Sequence, residues 1–216
     1  MQDLFTSFFV ILITVLIIAV IFTLVKINQN KKEKMIRNLA DSRGWKYQKI
    51  HQGSGNGFSL QSHDWTLEVI PSSDESHNAN GQSLWWAANT RPGKDILLIG
   101  PQPAKNNLGT LNGLLIQQAA TLFLGERAEA VKEVYIGSIA FDQKYRVLSN
   151  SDSAAKDLIT TTLERELIEW PIKILPIIKV LPERISIEIP GYHIQRSEEI
   201  EAIIHLGEIL LVNLRR

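Results

Sequence analysis

Five histidines, His51, His63, His77, His193 and His205, are the first residues to weigh for acid–base or metal chemistry. A helical metal pair needs two of them three or four positions apart, so that both rings leave one face of a helix. None of the five is so spaced, and a metal site would have to be assembled by the fold. His63 precedes Asp64, and His77 follows Asp74 and Glu75; an imidazole beside a carboxylate is the pairing that general acid–base catalysis uses. Both sets fall in stretches that read as turns or loops, where a solvated polar side chain is the ordinary expectation. His205 falls inside the last predicted helix as a surface or boundary residue.

The other chemical signatures are negative. Gly53-Ser54-Gly55-Asn56-Gly57 is rich in glycine, but a phosphate cradle needs a Lys and a Ser or Thr opening a helix; here Phe58-Ser59-Leu60 opens a strand. The glycines read instead as turn residues tolerant of positive φ. There is no G-x-S-x-G, no dinucleotide fingerprint and no calcium-loop spacing. Cysteine is absent, which excludes disulfides, thiolate catalysis and cysteine-ligated metal. Asp152, Asp157, Glu164, Glu166 and Glu169 alternate with Lys156 and Arg165 and read as solvated helix faces. The expectation is therefore no catalytic residue, no cofactor-binding residue and no metal ligand.

Two adjacent tryptophans, Trp85-Trp86, are the least ordinary feature. On a strand, neighbouring side chains point to opposite faces, so one should enter the core and the other face outward. The ordinary reading is packing, with the outward ring covering a second layer of the fold; the sharper one makes the pair a candidate contact for a partner or rests the outward ring at the lipid interface.

The elements that carry these residues divide sharply. Leu4 to Val25 is 22 residues, 18 of them apolar and the rest Thr6, Ser7, Thr14 and Thr23, with no charge, Gly or Pro. At about 1.5 Å per residue it reaches roughly 33 Å, enough to cross a hydrocarbon core of about 30 Å as a helix. The N-terminus Met1-Gln2-Asp3 lacks the basic residue of a cleaved signal peptide, and no A-x-A-like site follows. The segment carries no G-x-x-x-G, so it reads as a simple anchor.

Just after it come Lys26, Lys31, Lys32, Lys34 and Arg37, against one acid, Glu33. Basic flanks stay on the cytoplasmic side, which places the N-terminus outside and the rest of the chain in the cytoplasm. The same five residues are candidates for contact with anionic lipid, at about 1 kcal/mol for each base near the surface. The whole chain is balanced, with 23 basic and 23 acidic residues, which argues against nucleic-acid binding.

From Lys31 to Gly44 an amphipathic helix is predicted, with Met35, Ile36, Leu39 and Ala40 on one stripe. Trp45 to Pro101 alternates with period two and reads as a β-meander, its polar stretch Pro71 to Gln82 a loop. Further on, helices are predicted at Leu111–Leu124, about Ala154–Glu169 and about Ser197–Asn213, and strands at Val131–Ile139, Lys144–Leu148, Ile177–Leu181 and Arg184–Ile189. The prediction is an α+β chain: a transmembrane helix, then a mainly antiparallel sheet packed with about three helices. Its divisions are an anchor (1–30), a juxtamembrane helix (31–44) and a soluble domain (45–216).

Two blocks, Leu39-Ala40-Asp41-Ser42-Arg43-Gly44-Trp45-Lys46-Tyr47 and Phe141-Asp142-Gln143-Lys144-Tyr145-Arg146-Val147-Leu148-Ser149-Asn150-Ser151-Asp152, are similar to segments of a loose group of uncharacterised bacterial single-pass membrane proteins with a cytoplasmic α+β domain. The resemblance implies a bacterial inner-membrane protein and supplies no catalytic residue. The expected function is a membrane-anchored, non-enzymatic interaction or accessory domain, with the bilayer and a membrane protein as partners. The alternative is a membrane-associated enzyme on lipid or cell-envelope substrates, drawing on His63, Asp64 or His77.

Overall fold

A computed structural model describes residues 2–52, 55–71, 82–89, 94–102, 121–191, 194 and 196–215. It divides into two compact units, Met1–Gly44 and Trp45–Arg216.

The first unit is a single helix, α1 (Gln2–Arg43), 42 residues without a break. Anchor and juxtamembrane segment are therefore continuous: nothing from Leu4 to Arg43 removes a backbone donor or favours another conformation. Thr23 Oγ1 donates back to Ala19 O at 2.8 Å, so a hydroxyl in the apolar stretch satisfies itself on the preceding turn. At the other end, Ser42 Oγ donates to Leu39 O, Gly44 N donates to Asp41 O, and Gly44 takes φ 69°, the left-handed C-terminal stop that glycine makes without strain. Among the described residues this is the one helix long and apolar enough to cross a membrane.

The second unit is built on nine strands: β1 (Lys46–Gln52), β2 (Gly55–Gln61), β3 (Trp65–Pro71), β4 (Gln82–Asn89), β5 (Leu97–Pro101), β6 (Lys132–Val134), β7 (Tyr145–Ser149), β8 (Ile177–Val180) and β9 (Arg184–Ile189). They form one sheet in the order β1-β2-β3-β4-β9-β8-β5-β7-β6, with every pairing antiparallel. Among the described residues the helices of this unit are α2 (Ile139–Lys144), α3 (Asp152–Leu158), α4 (Thr161–Ile168) and α5 (Ser197–Leu214), with the end of another at 121–124. A 3-10 turn, Gly125–Ala130, completes it. The chain is α+β, as predicted.

Alternation decides which face is core. Leu67, Trp86 and Ile187 stand opposite one another on β3, β4 and β9, and each is fully buried. Ile178 and Ile99 continue the row across β8 and β5. Helices α2 to α5 cover this face, and each large aliphatic side chain removed from water there contributes about 1.5–3 kcal/mol. Among the described residues the opposite face is covered only in part. Ile96, Leu98, Leu148 and Ile177 pack there with Leu124 and Ala128, so β5 is buried on both sides, which explains its uninterrupted apolar run.

Two elements differ from the sequence reading, and a third lies mostly outside the described residues. The strand expected at Val131–Ile139 is only Lys132–Val134, and helix α2 starts at Ile139, where Ser138 Oγ accepts from Phe141 N. The helix expected over Ala154–Glu169 is two, because Thr160 becomes a new N-cap, accepting from Leu163 N. The helix expected at Leu111–Leu124 is described only from Thr121, and it ends at Gly125, where φ is 60°.

Candidate functional site

Among the described residues, the open part of the sheet's partly covered face runs across β3 and β4 to Arg184 at the start of β9. Its register is set by Trp85 opposite Glu68 and Glu188, Ala87 opposite Thr66 and Ser186, and Asn89 opposite Arg184. The middle row consists of small side chains, so a trough forms between the larger ones on either side. The result is a groove of about 280 Å³. Thr66 and Ala87 form its floor, with Trp85, Asn89, Arg184 and the Ser62-His63-Asp64 turn around it.

Trp85 is the outward member of the tryptophan pair and Trp86 the inward one, as strand alternation requires. Trp86 is 0% exposed, so contact with a partner at this pair falls to Trp85 alone. Trp85 is half-buried, and the Arg184 guanidinium lies 5.5 Å from its ring centroid, within cation–π range. The indole N–H groups of both tryptophans are sheltered from solvent and have no acceptor among the described residues. A sheltered unpaired donor costs about 1–3 kcal/mol, so their position is held by ring packing rather than by polar contacts.

At the rim, His63 Nδ1 lies 3.3 Å from Asp64 Oδ1, and Arg215 Nη2 lies 3.1 Å from the same oxygen. These two partners, His63 first, hold the Asp64 carboxyl below the ordinary carboxylate range. The His63 side chain is 97% exposed. The pair that the sequence singles out is thus an exposed hydrogen-bonded pair with Asp64 kept ionised, unlike the buried, raised carboxyl of a general acid. His77 with Asp74 and Glu75, and His193, lie outside the described residues. Among the described residues no group of three metal-ligating side chains converges.

The five basic residues Lys26, Lys31, Lys32, Lys34 and Arg37 are all exposed along α1. Arg37 Nη2 is 2.8 Å from Glu33 Oε1, one helical turn back, so part of its charge is already used.

Arg184 is the groove residue that sequence reasoning missed. Nothing local marks it. It reaches Trp85 only through the β4–β9 pairing, and the sequence does not show that the ninth strand is inserted beside the fourth.

Comparison with protein families found no match, and comparison with curated proteins found none. Among solved structures, a crystal structure of the mycobacterial trehalose monomycolate transport factor A is similar, with a TM-score of 0.48 and 10% identity over 84% of this chain and 93% of that one. That likeness is too distant to bear on function.

Proposed function

We propose that the chain is a membrane-anchored accessory protein whose Trp45–Arg216 unit acts by binding a partner in a membrane complex. One observation carries the reading. Along α1 every described side chain from Ile13 to Ile27 is exposed, including Ile13, Leu16, Phe22, Leu24 and Ile27. Among the described residues nothing covers a helical surface of that length, and lipid is the solvent that removes the penalty.

In this reading the Trp45–Arg216 unit is cytoplasmic and the N-terminus lies outside a bacterial inner membrane, an orientation that the basic residues from Lys26 to Arg37 favour. Lys26, Lys31, Lys32 and Lys34 also contact anionic head groups in this reading, Arg37 less because of Glu33. Trp85 is the partner-facing residue. The enzymatic reading has less support, because His63 and Asp64 are exposed and paired.

Co-purification from mild detergent tests the proposal. A defined membrane protein should be retained at constant ratio, and retention should fall for Trp85→Ala. Isolation of the full chain alone from membranes under conditions that preserve other complexes would count against it.

A further inference from the structure

Arg184 differs from its counterparts. Arg127, Arg146, Arg196 and Arg215 in the same unit each hold a carboxylate. Among the described residues the Arg184 guanidinium holds none, and it lies against the Trp85 ring. A guanidinium laid against an indole is partly ordered in advance, while its fork of N–H donors stays available in the plane. That fork matches a carboxylate bidentately.

The geometry points to Arg184 and Trp85 as a carboxylate subsite, through which the groove takes an acidic side chain and an adjacent apolar residue from a partner protein. This deepens the accessory reading above and rests on it. The surroundings favour one negative charge over two. Thr66 and Asn89 are neutral, Asp64 at the rim is ionised and committed to His63 and Arg215, and Glu68 stands opposite Trp85, so the second charge of a phosphate dianion is opposed. The apolar body of Trp85 offers contact area to a neighbouring aliphatic or aromatic side chain. A volume of about 280 Å³ accommodates a few side chains and not a folded element. The floor is paired strand, from β3 through β4 to β9, so the subsite sits on backbone that need not rearrange to bind.

The test uses the full chain in nanodiscs of neutral phosphatidylcholine, with the indole N–H signals of its five tryptophans followed by NMR. Trp85→Phe assigns the signal of interest. Three probes are titrated: a capped tetrapeptide with one Glu beside a Leu, the same peptide with Gln for Glu, and acetate. The Glu peptide should shift the Trp85 signal and bind about 10-fold more tightly than the Gln peptide, the size of effect a charge-assisted bidentate pair supplies. Arg184→Gln should abolish the preference while the other four signals stay in place, which shows the fold intact. Arg184→Lys, with charge but no fork, should lose most of it.

Equal binding of the two peptides would overturn the inference, as would full preference in the Lys variant. Acetate acting at the peptide's concentration would also overturn it, by marking a site for small carboxylates. If a membrane partner co-purifies with the wild type and equally with Arg184→Gln, the accessory reading stands and this subsite does not.

Discussion

Gly207 on α5 lies so close to Trp86 on β4 that a Cβ at position 207 would overlap the indole at Cε2, Cζ2 and Cδ2. Glycine in mid-helix ordinarily weakens a helix, by about 1 kcal/mol against alanine. Here it lets the helix backbone approach the largest fully buried side chain of the sheet. The close packing of α5 on the β4–β9 pair depends on that missing methyl group.

Gly207→Ala should therefore destabilise the protein despite its better helix propensity. Overpacking a tight core costs about 1–3 kcal/mol, and the propensity gain offsets part of that. Denaturant unfolding of the detergent-solubilised chain should show a lower midpoint. Trp86→Phe makes room, so the double variant should lose less than the two single losses added together. Strict additivity would show that the two residues do not share the contact.

Tyr145 supplies a pH-dependent test. Its hydroxyl donates to Leu167 O at 3.1 Å from a side chain 1% exposed, and burial pushes the phenol well above its ordinary 10.0. Above about pH 10 the unfolded chain releases this proton while the folded chain keeps it. Stability is therefore fully present below pH 10 and falls as pH rises beyond it. Tyr145→Phe should cost about 1 kcal/mol at pH 7 and flatten the decline between pH 9 and 11. Lys144 Nζ still donates to Leu167 O and Ile168 O in that variant, so the end of α4 keeps a partner. An unchanged alkaline slope in Tyr145→Phe would remove the tyrosine from the explanation.

These two contacts show what a sequence reveals and what it conceals. The meander from β1 to β4 was legible because Leu67, Val69, Leu84 and Trp86 alternate with polar or outward residues. Ser151 was legible as a cap, and its hydroxyl does accept from Ala154 N. The start of α2 was not, because its signal is distributed: Ser138 caps it while the Asp142 carboxylate accepts from Ile136 N and Gly137 N, with Gly137 at φ 92°. The break between α3 and α4 has no Gly or Pro to announce it, only Thr160 taking the cap. Of the site, Trp85 stood out by its neighbour. Arg184, like the meeting of Gly207 with Trp86, depends on long-range pairing that no local pattern carries.

Asp64 gives a smaller but separable effect. Its carboxyl is held low by His63 and then by Arg215, so its titration by carboxyl NMR should fall below the ordinary carboxylate value. The stabilisation is present above that ordinary value and disappears as pH drops through the lowered one. Arg215→Ala should move the midpoint part of the way back up, and His63→Ala further. No movement in either variant would mean that the pair is broken in solution.

The basic collar of α1 makes the last prediction. Five bases stand on one side of the apolar stretch and none on the other, where Asp3 is the only charged residue. Orientation follows the bias in Lys and Arg rather than net charge, so replacing bases matters more than adding acids. Lys31→Gln, Lys32→Gln and Lys34→Gln together leave Lys26, Arg37 and the more distant Arg43 on α1, and Arg37 is held by Glu33 at 2.8 Å. A reporter fused after Arg216 should then show a mixed orientation, against a cytoplasmic one in the parent. Arg37→Gln alone should change little, because its charge is partly spent within the helix. Adding two or three lysines beside Asp3 in the triple variant should push the balance further toward a translocated C-terminus. A parent reporter active only outside the cytoplasm would contradict the orientation at its root.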